Sequence, residues 1–305
     1  IGLSKRSAEH KKNMFLFVFL LLLICYLPTM FISYPGIFMG DTDNQIVQAF
    51  SELEYTGYGI SEIPREFLLS DKVSLNQHHS VIHTLMIHLF LVIGINFFHS
   101  VNIGIFLYCI FQTLVVLASI SYALAYLASC GMSRKYILGC VVYYIVHPYI
   151  NYSILLITKD TIYSAILLFG LTFLYSMFLK SEENSFLNNV KLMLAFIGLV
   201  LMRNEAQYVL ILALLGMILL CKKYRKRFGI YLSVIVLFSF FVFKVLMPVF
   251  YITPGNVREV LSIPLQQTAR YVKERENEVT DEEKEAISNV LNYSLLADNY
   301  RSEEH

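Results

Sequence analysis

Long apolar runs separated by short polar clusters dominate the chain. A helix needs about 20 such residues, at 1.5 Å rise each, to cross a bilayer core. The pattern predicts spans at about 14–32, 103–127, 137–150, 161–179, 191–202, 206–220 and 229–250, seven in all. A further run, 81–98, contains His83, His88 and Asn96 and would make a poor lipid-facing span. It is placed as a helix lying along or dipping into the membrane surface. The stretch "DTDNQIVQAFSELEYT", 41–56, sets Ile46, Val47, Phe50 and Leu53 on one helical face, with Asp41 and Asp43 in the first turn. It predicts a second membrane-parallel helix, its acids favoured by the helix dipole. From about Tyr251 the pattern turns polar: Pro254–Gly255 predicts a turn, Pro264 a helix start, and a charge-rich helical stretch follows.

The expected fold is therefore all-α: a polytopic membrane domain over 1–250, with an outer loop at 33–102, then a soluble helical region over 251–305. Ile1 at the start and "RSEEH" at the end look like cut points in a longer protein. Composition agrees, at 56% hydrophobic and 15% charged residues. The net charge of +1, with basic residues gathered at segment ends, excludes a nucleic-acid surface. Cys25, Cys109, Cys130, Cys140 and Cys221 lie in or beside apolar runs without CxxC spacing and read as small hydrophobes.

Charge then orients the spans. With the N-terminus cytoplasmic and 81–98 not crossing, Lys5, Arg6, Lys11, Lys12, Arg134, Lys135, Lys180, Lys191 and the cluster "CKKYRKR" at 221–227 fall inside. Only Arg65, Lys72, Lys159 and Arg203 fall outside before the last exit, as the positive-inside tendency requires. The protein is expected in the cell membrane, with residues after 251 extracytoplasmic.

On this topology the unusual polar residues converge on the outer face: Asp41, Asp43, His78, His79, His83, Lys159, Asp160, Arg203 and Glu205. Asp41 and Asp43 suit either capping or chemistry. In "NQHHSVIHT", His79 and His83 stand at i and i+4, a spacing for metal ligation or a proton relay. A divalent cation (Mg²⁺, Mn²⁺ or Zn²⁺) held by Asp41, His79 and His83 is one reading, and interfacial hydrogen bonding is the other. Lys159 and Asp160 in "ITKDTIY" suit a local ion pair, or separate roles. Arg203 in "LMRNEAQ" interrupts an apolar stretch at headgroup depth, where a guanidinium can grip phosphate bidentately. Lys244, near the outer end of the last span, suits snorkelling before contact with a phosphate.

The motifs "YPGIFMGDTDNQ", "NQHHSVIHT" and "LSIPLQQTARYV" resemble the GT-C class of membrane glycosyltransferases, closest to a group of uncharacterised bacterial multi-pass proteins. The resemblance implies hexosyl or pentosyl transfer from a polyprenyl-phosphate-linked donor to a lipid or cell-envelope polymer at the outer membrane face. It implies that Asp41 is the general base or acceptor-aligning acid and that Asp160 is the second catalytic acid. Lys159 and Arg203 would meet the donor phosphate, with Asp43, His79 and His83 beside the substrate. Where that group has "HHP", this chain has "HHS", and Ser80 is expected to fix the helix start less rigidly. The competing expectation is a non-enzymatic transporter or flippase of lipid-linked sugars, which would place charged residues near the midplane and show inverted repeats.

Overall fold

The computed structural model describes residues 2–49, 53–55, 60–62, 75–179, 186–253, 261–294 and 296. Two compact units emerge, Ile1–Thr253 and Pro254–His305. In the first, the helices are α1 (Gly2–Ile32), α2 (Gly40–Ala49), α3 (Val81–Phe98), α4 (Val101–Ser129), α5 (Arg134–Val146), α6 (Pro148–Leu155), α7 (Lys159–Leu179), α8 (Phe186–Met202), α9 (Ala206–Leu220) and α10 (Arg225–Phe240). α10 runs on through a π-helical turn, Phe241–Leu246, which carries Lys244. In the second unit, helices over Ser262–Glu274 and Asp281–Ser288 show mostly exposed, ion-paired surfaces, and a Thr280–Glu283 capping box opens the latter. The turn expected at Pro254–Gly255 lies outside the described residues.

Among the described residues, five helices are long and apolar enough to cross a membrane: Glu9–Ile32, Val81–Phe98, Val101–Ser129, Lys159–Met177 and Lys222–Val249. The chain is thus a helical, polytopic membrane protein. The span expected at 137–150 is not one straight helix. α5 and α6 meet at a 68° bend, because Pro148 cannot continue the helix and disfavours helical backbone at His147. Counted as one broken span, the pair makes a sixth. α8 and α9, with 17 and 15 residues, are shorter apolar helices.

The helix expected over 41–56 ends earlier, at Ala49, and Leu53–Tyr55 (β1) pairs antiparallel with Ile60–Glu62 (β2), matching Leu53 with Glu62. The apolar-polar alternation of Leu-Glu-Tyr has the strand period of two. This short hairpin is the departure from all-α among the described residues. Phe50 lies outside them.

Side-chain pairs fix the relative direction of the helices. Lys11 of α1 lies over Tyr122 and Tyr126 of α4, while Phe31 and Tyr34 meet Phe106, so α1 and α4 are antiparallel. Ser119 donates to the Ala165 carbonyl (2.6 Å) and Tyr126 contacts Tyr175, so α7 runs parallel to α4. α8 runs back along α7, with Gly170 near Ala195 and Gly198 near Ile166. The last turns of α1, α6 and α8 therefore gather at one end with the first turns of α4, α7 and α9. Met14, Val18 and Leu22 pack on Leu117, Ile120 and Leu124 to form the core between α1 and α4.

α3 qualifies as a span by length and apolarity, a property its expected surface position did not anticipate. Its packing is oblique. Gly94 abuts the backbone of Gly104 and Phe90 meets Tyr108 and Phe111, yet His83, about two turns further back along α3, still meets Tyr108. Two antiparallel helices in register from the His99–Ser100 turn would bring His83 to about residue 116.

Candidate functional site

The "YPG" turn positions the first acid. Gly36 has φ 152°, a backbone angle that requires glycine, and a Cβ on it would fall 2.6 Å from Ile157 Cδ1 and displace that side chain. The next residue, Ile37, pairs with the α6–α7 connection: its N–H donates to Leu155 O (3.3 Å) and its carbonyl accepts from Ile157 N (3.0 Å). Thr42 Oγ1, buried, accepts from Met39 N (3.1 Å) and donates to Ile157 O (2.6 Å). The N-terminus of α2 is thereby pinned to the N-terminus of α7, which sets Asp41 opposite Lys159.

Lys159 Nζ stands 3.9 Å from Asp41 Oδ2 and 3.4 Å from His79 Nδ1, and His79 Nδ1 is also 3.9 Å from Asp41. Burial, reinforced by Lys159 and then His78, pushes His79 down to about 4, against the opposing pull of Asp41. The imidazole is therefore neutral near pH 7, and Nδ1 accepts a hydrogen bond from the ammonium. Its Nε2 is buried without a hydrogen-bond partner. Asp160, next to Lys159, does not pair with it. Arg203 Nη1 comes within 3.3 Å of Asp160, Arg203 Nε lies 3.8 Å from Glu205, and the guanidinium sits over the Tyr163 ring. The local Lys159–Asp160 pair is overturned because successive helical residues project about 100° apart.

Asp41 and Asp160 line the same cleft, of about 530 Å³, between the start of α2, α6 and the start of α7. Its floor reaches Val116 and Ile154, and Ser153 and Thr161 add hydroxyls to the wall. Asp43 is not among the lining residues. Burial raises its carboxyl above the usual range, and its Oδ1 has no hydrogen-bond partner.

His83 belongs to a different cluster. Its Nδ1 donates to Gln45 Oε1 (2.9 Å), its Nε2 accepts from Tyr108 OH (2.6 Å), and Gln45 Nε2 donates to Thr84 Oγ1 (3.1 Å), which donates to Ser80 O (3.1 Å). The donor and acceptor roles follow from the network, since Gln45 presents its carbonyl and Tyr108 brings a proton. All four side chains are buried. The expected shared helical face of His79 and His83 is not formed: α3 starts at Val81 and His79 precedes it. Ser80, expected to hold that start loosely, fixes it. Its hydroxyl accepts from His83 N (3.1 Å) and donates to Leu201 O (2.7 Å), strapping α3 to the end of α8. Asn204 Nδ2 adds a bond to Gln77 O (2.7 Å).

The proposed metal set of Asp41, His79 and His83 does not fit. Both nitrogens of His83 are engaged elsewhere, and the Lys159 ammonium holds the cation position between Asp41 and His79. Among the described residues no three His, Cys, Asp or Glu side chains converge. Sequence reasoning did not identify Tyr108 and Thr84, and it gave Ser80 no part in this network. Their signal was the recurrence of hydrogen-bonding side chains within otherwise apolar helices.

No curated protein and no solved structure is significantly similar to the chain. Its sequence matches, over residues 4–305, the profile of a family of unknown function, DUF6020, and the chain belongs to that family.

Proposed function

We propose that the chain is a membrane glycosyltransferase of GT-C type, moving a sugar from a polyprenyl-phosphate-linked donor to a lipid or cell-envelope polymer acceptor at the outer membrane face. The observation that carries this reading is the convergence of Asp41 and Asp160 on one cleft, with Lys159 and Arg203 beside them. In this reading the chain crosses seven times: through α1, α4, the bent α5–α6 pair, α7, α8, α9 and α10. α3 lies obliquely across the outer ends, and the N-terminus is cytoplasmic. The directions of helix packing support that course, since they alternate between the two ends.

Asp41, about half exposed, takes the proton of the acceptor hydroxyl as its oxygen bonds to the anomeric carbon. The bond from that carbon to the phosphate oxygen breaks, and its electron pair leaves on the lipid phosphate. Lys159 and Arg203 offset the charge on that group. Asp160 holds Arg203 in place. A transporter would be expected to bury charge near the midplane, whereas among the described residues no Asp, Glu, Lys or Arg is wholly buried, and Asp43, the partly buried acid, lies in α2. The test is transfer of labelled sugar from polyprenyl phosphate in membranes containing the full protein, compared with its Asp41→Asn variant. Transfer unchanged by that substitution would remove Asp41 from the role of base.

A further inference from the structure

The opposite end of the bundle holds a second cleft, of about 420 Å³, between α1 and α5. Four α1 residues, His10, Asn13, Met14 and Phe17, face four of α5, Arg134, Ile137, Leu138 and Val141. Both sets follow i, i+3, i+4, i+7, so each is one helical stripe. The two stripes are graded alike: polar at the start, with His10, Asn13 and Arg134, and apolar one to two turns deeper, with Phe17 and Val141. Phe17 and Leu138 are exposed. The volume falls in the range of about 300–1,000 Å³ usual for small-molecule sites.

Charge at this end is one-sided. Lys12 and Lys135 adjoin the polar rim and are exposed, and Lys222, Lys223, Arg225, Lys226 and Arg227 lie between α9 and the body of α10 at the same end. Lys11 is turned onto Tyr122 and Tyr126. Among the described residues of this end, Glu9 is the acid that opposes them.

We infer that the α1–α5 cleft binds one anionic phospholipid of the adjoining leaflet, its phosphate at Arg134 and His10 and an acyl chain along Phe17, Leu138 and Val141. A free anion would use the rim and leave the apolar wall bare; a zwitterionic lipid would use the wall and gain little from the rim. Basic pockets between membrane helices favour anionic headgroups for this reason. The inference does not depend on the proposed sugar transfer.

The chain has no tryptophan, which makes a direct test available. Phe17→Trp and, separately, Leu138→Trp put a single fluorophore on the cleft wall. Leu212→Trp, on an exposed position of α9, is the control. Each variant of this 305-residue chain is placed in phosphatidylcholine vesicles containing either brominated phosphatidylglycerol or brominated phosphatidylcholine as quencher. The expected result is about a fivefold preference for phosphatidylglycerol at both cleft positions. That preference should be absent at the control, be abolished by adding Arg134→Gln and be kept by Arg134→Lys. Equal quenching by the two lipids at the cleft would overturn the inference, and so would an equal preference at the control. Relief of the quenching by millimolar inorganic phosphate would mean that a free anion is the ligand, and would overturn it too.

Discussion

Two polar clusters flank Ser80, and they differ in one respect. Around His83, every hydrogen-bonding atom of the imidazole has a partner, and Gln45, Thr84 and Tyr108 are sealed from solvent. Around His79, the imidazole is equally buried, yet its Nε2 is unpartnered and its Nδ1 faces a lysine shared with a half-exposed carboxylate. A closed network specifies how α2, α3 and α4 pack. An open one keeps charge available at the edge of a cleft. Two histidines four residues apart thus belong to different parts of the protein's work.

The largest expected effect separates the clusters by activity. Asp41→Asn should lower sugar transfer by about 10²–10⁴-fold while leaving thermal unfolding in detergent close to that of the parent. His83→Ala should do the reverse. It leaves Gln45 Oε1 and Tyr108 OH buried without partners and should cost about 2–5 kcal/mol, seen as a lower unfolding temperature, with transfer falling only as the folded fraction falls. Tyr108→Phe removes one hydroxyl from the same network and should cost about 1–3 kcal/mol. A Tyr108→Phe protein as stable as the parent would break the picture of a closed network.

Acid should act on the open cluster. His79 has a folded pKa of about 4, below its ordinary 6.5, so the unfolded chain binds the extra proton between those values. Stability is full above about 6.5 and declines as pH falls toward 4, levelling below it. His79→Gln should flatten that part of a plot of unfolding temperature against pH. The smallest effect is expected from Asp43→Asn, because Asp43 is off the cleft: transfer should change less than about twofold and stability by less than about 0.5 kcal/mol. A loss comparable with that of Asp41→Asn would erase the distinction between the two acids.

Much of this arrangement was legible in residue order. Apolar runs marked the helices, and the polar interruptions at Asp41, His79, Lys159 and Arg203 marked the end where they meet. The pairings were not legible, because they depend on rotation and depth, which span-finding ignores. Lys159 and Asp160 look like a pair in sequence but diverge on a helix. His79 and His83 have helical spacing but straddle a cap, since Ser80 bonds to His83 N and starts the helix after His79. The break at His147–Pro148 was marked by a proline lying inside a run long enough to suggest one straight span.

The first turn of α7 joins the two sides of the cleft. Lys159 and Asp160 are carried by one rigid turn, and their partners stand on different bodies: Asp41 at the head of α2 and Arg203 at the foot of α8. Both side chains leave the backbone at adjacent positions, so a displacement of this turn would shift both ion pairs together. The turn is thus a shared anchor for the carboxylate that heads α2 and the guanidinium that follows α8.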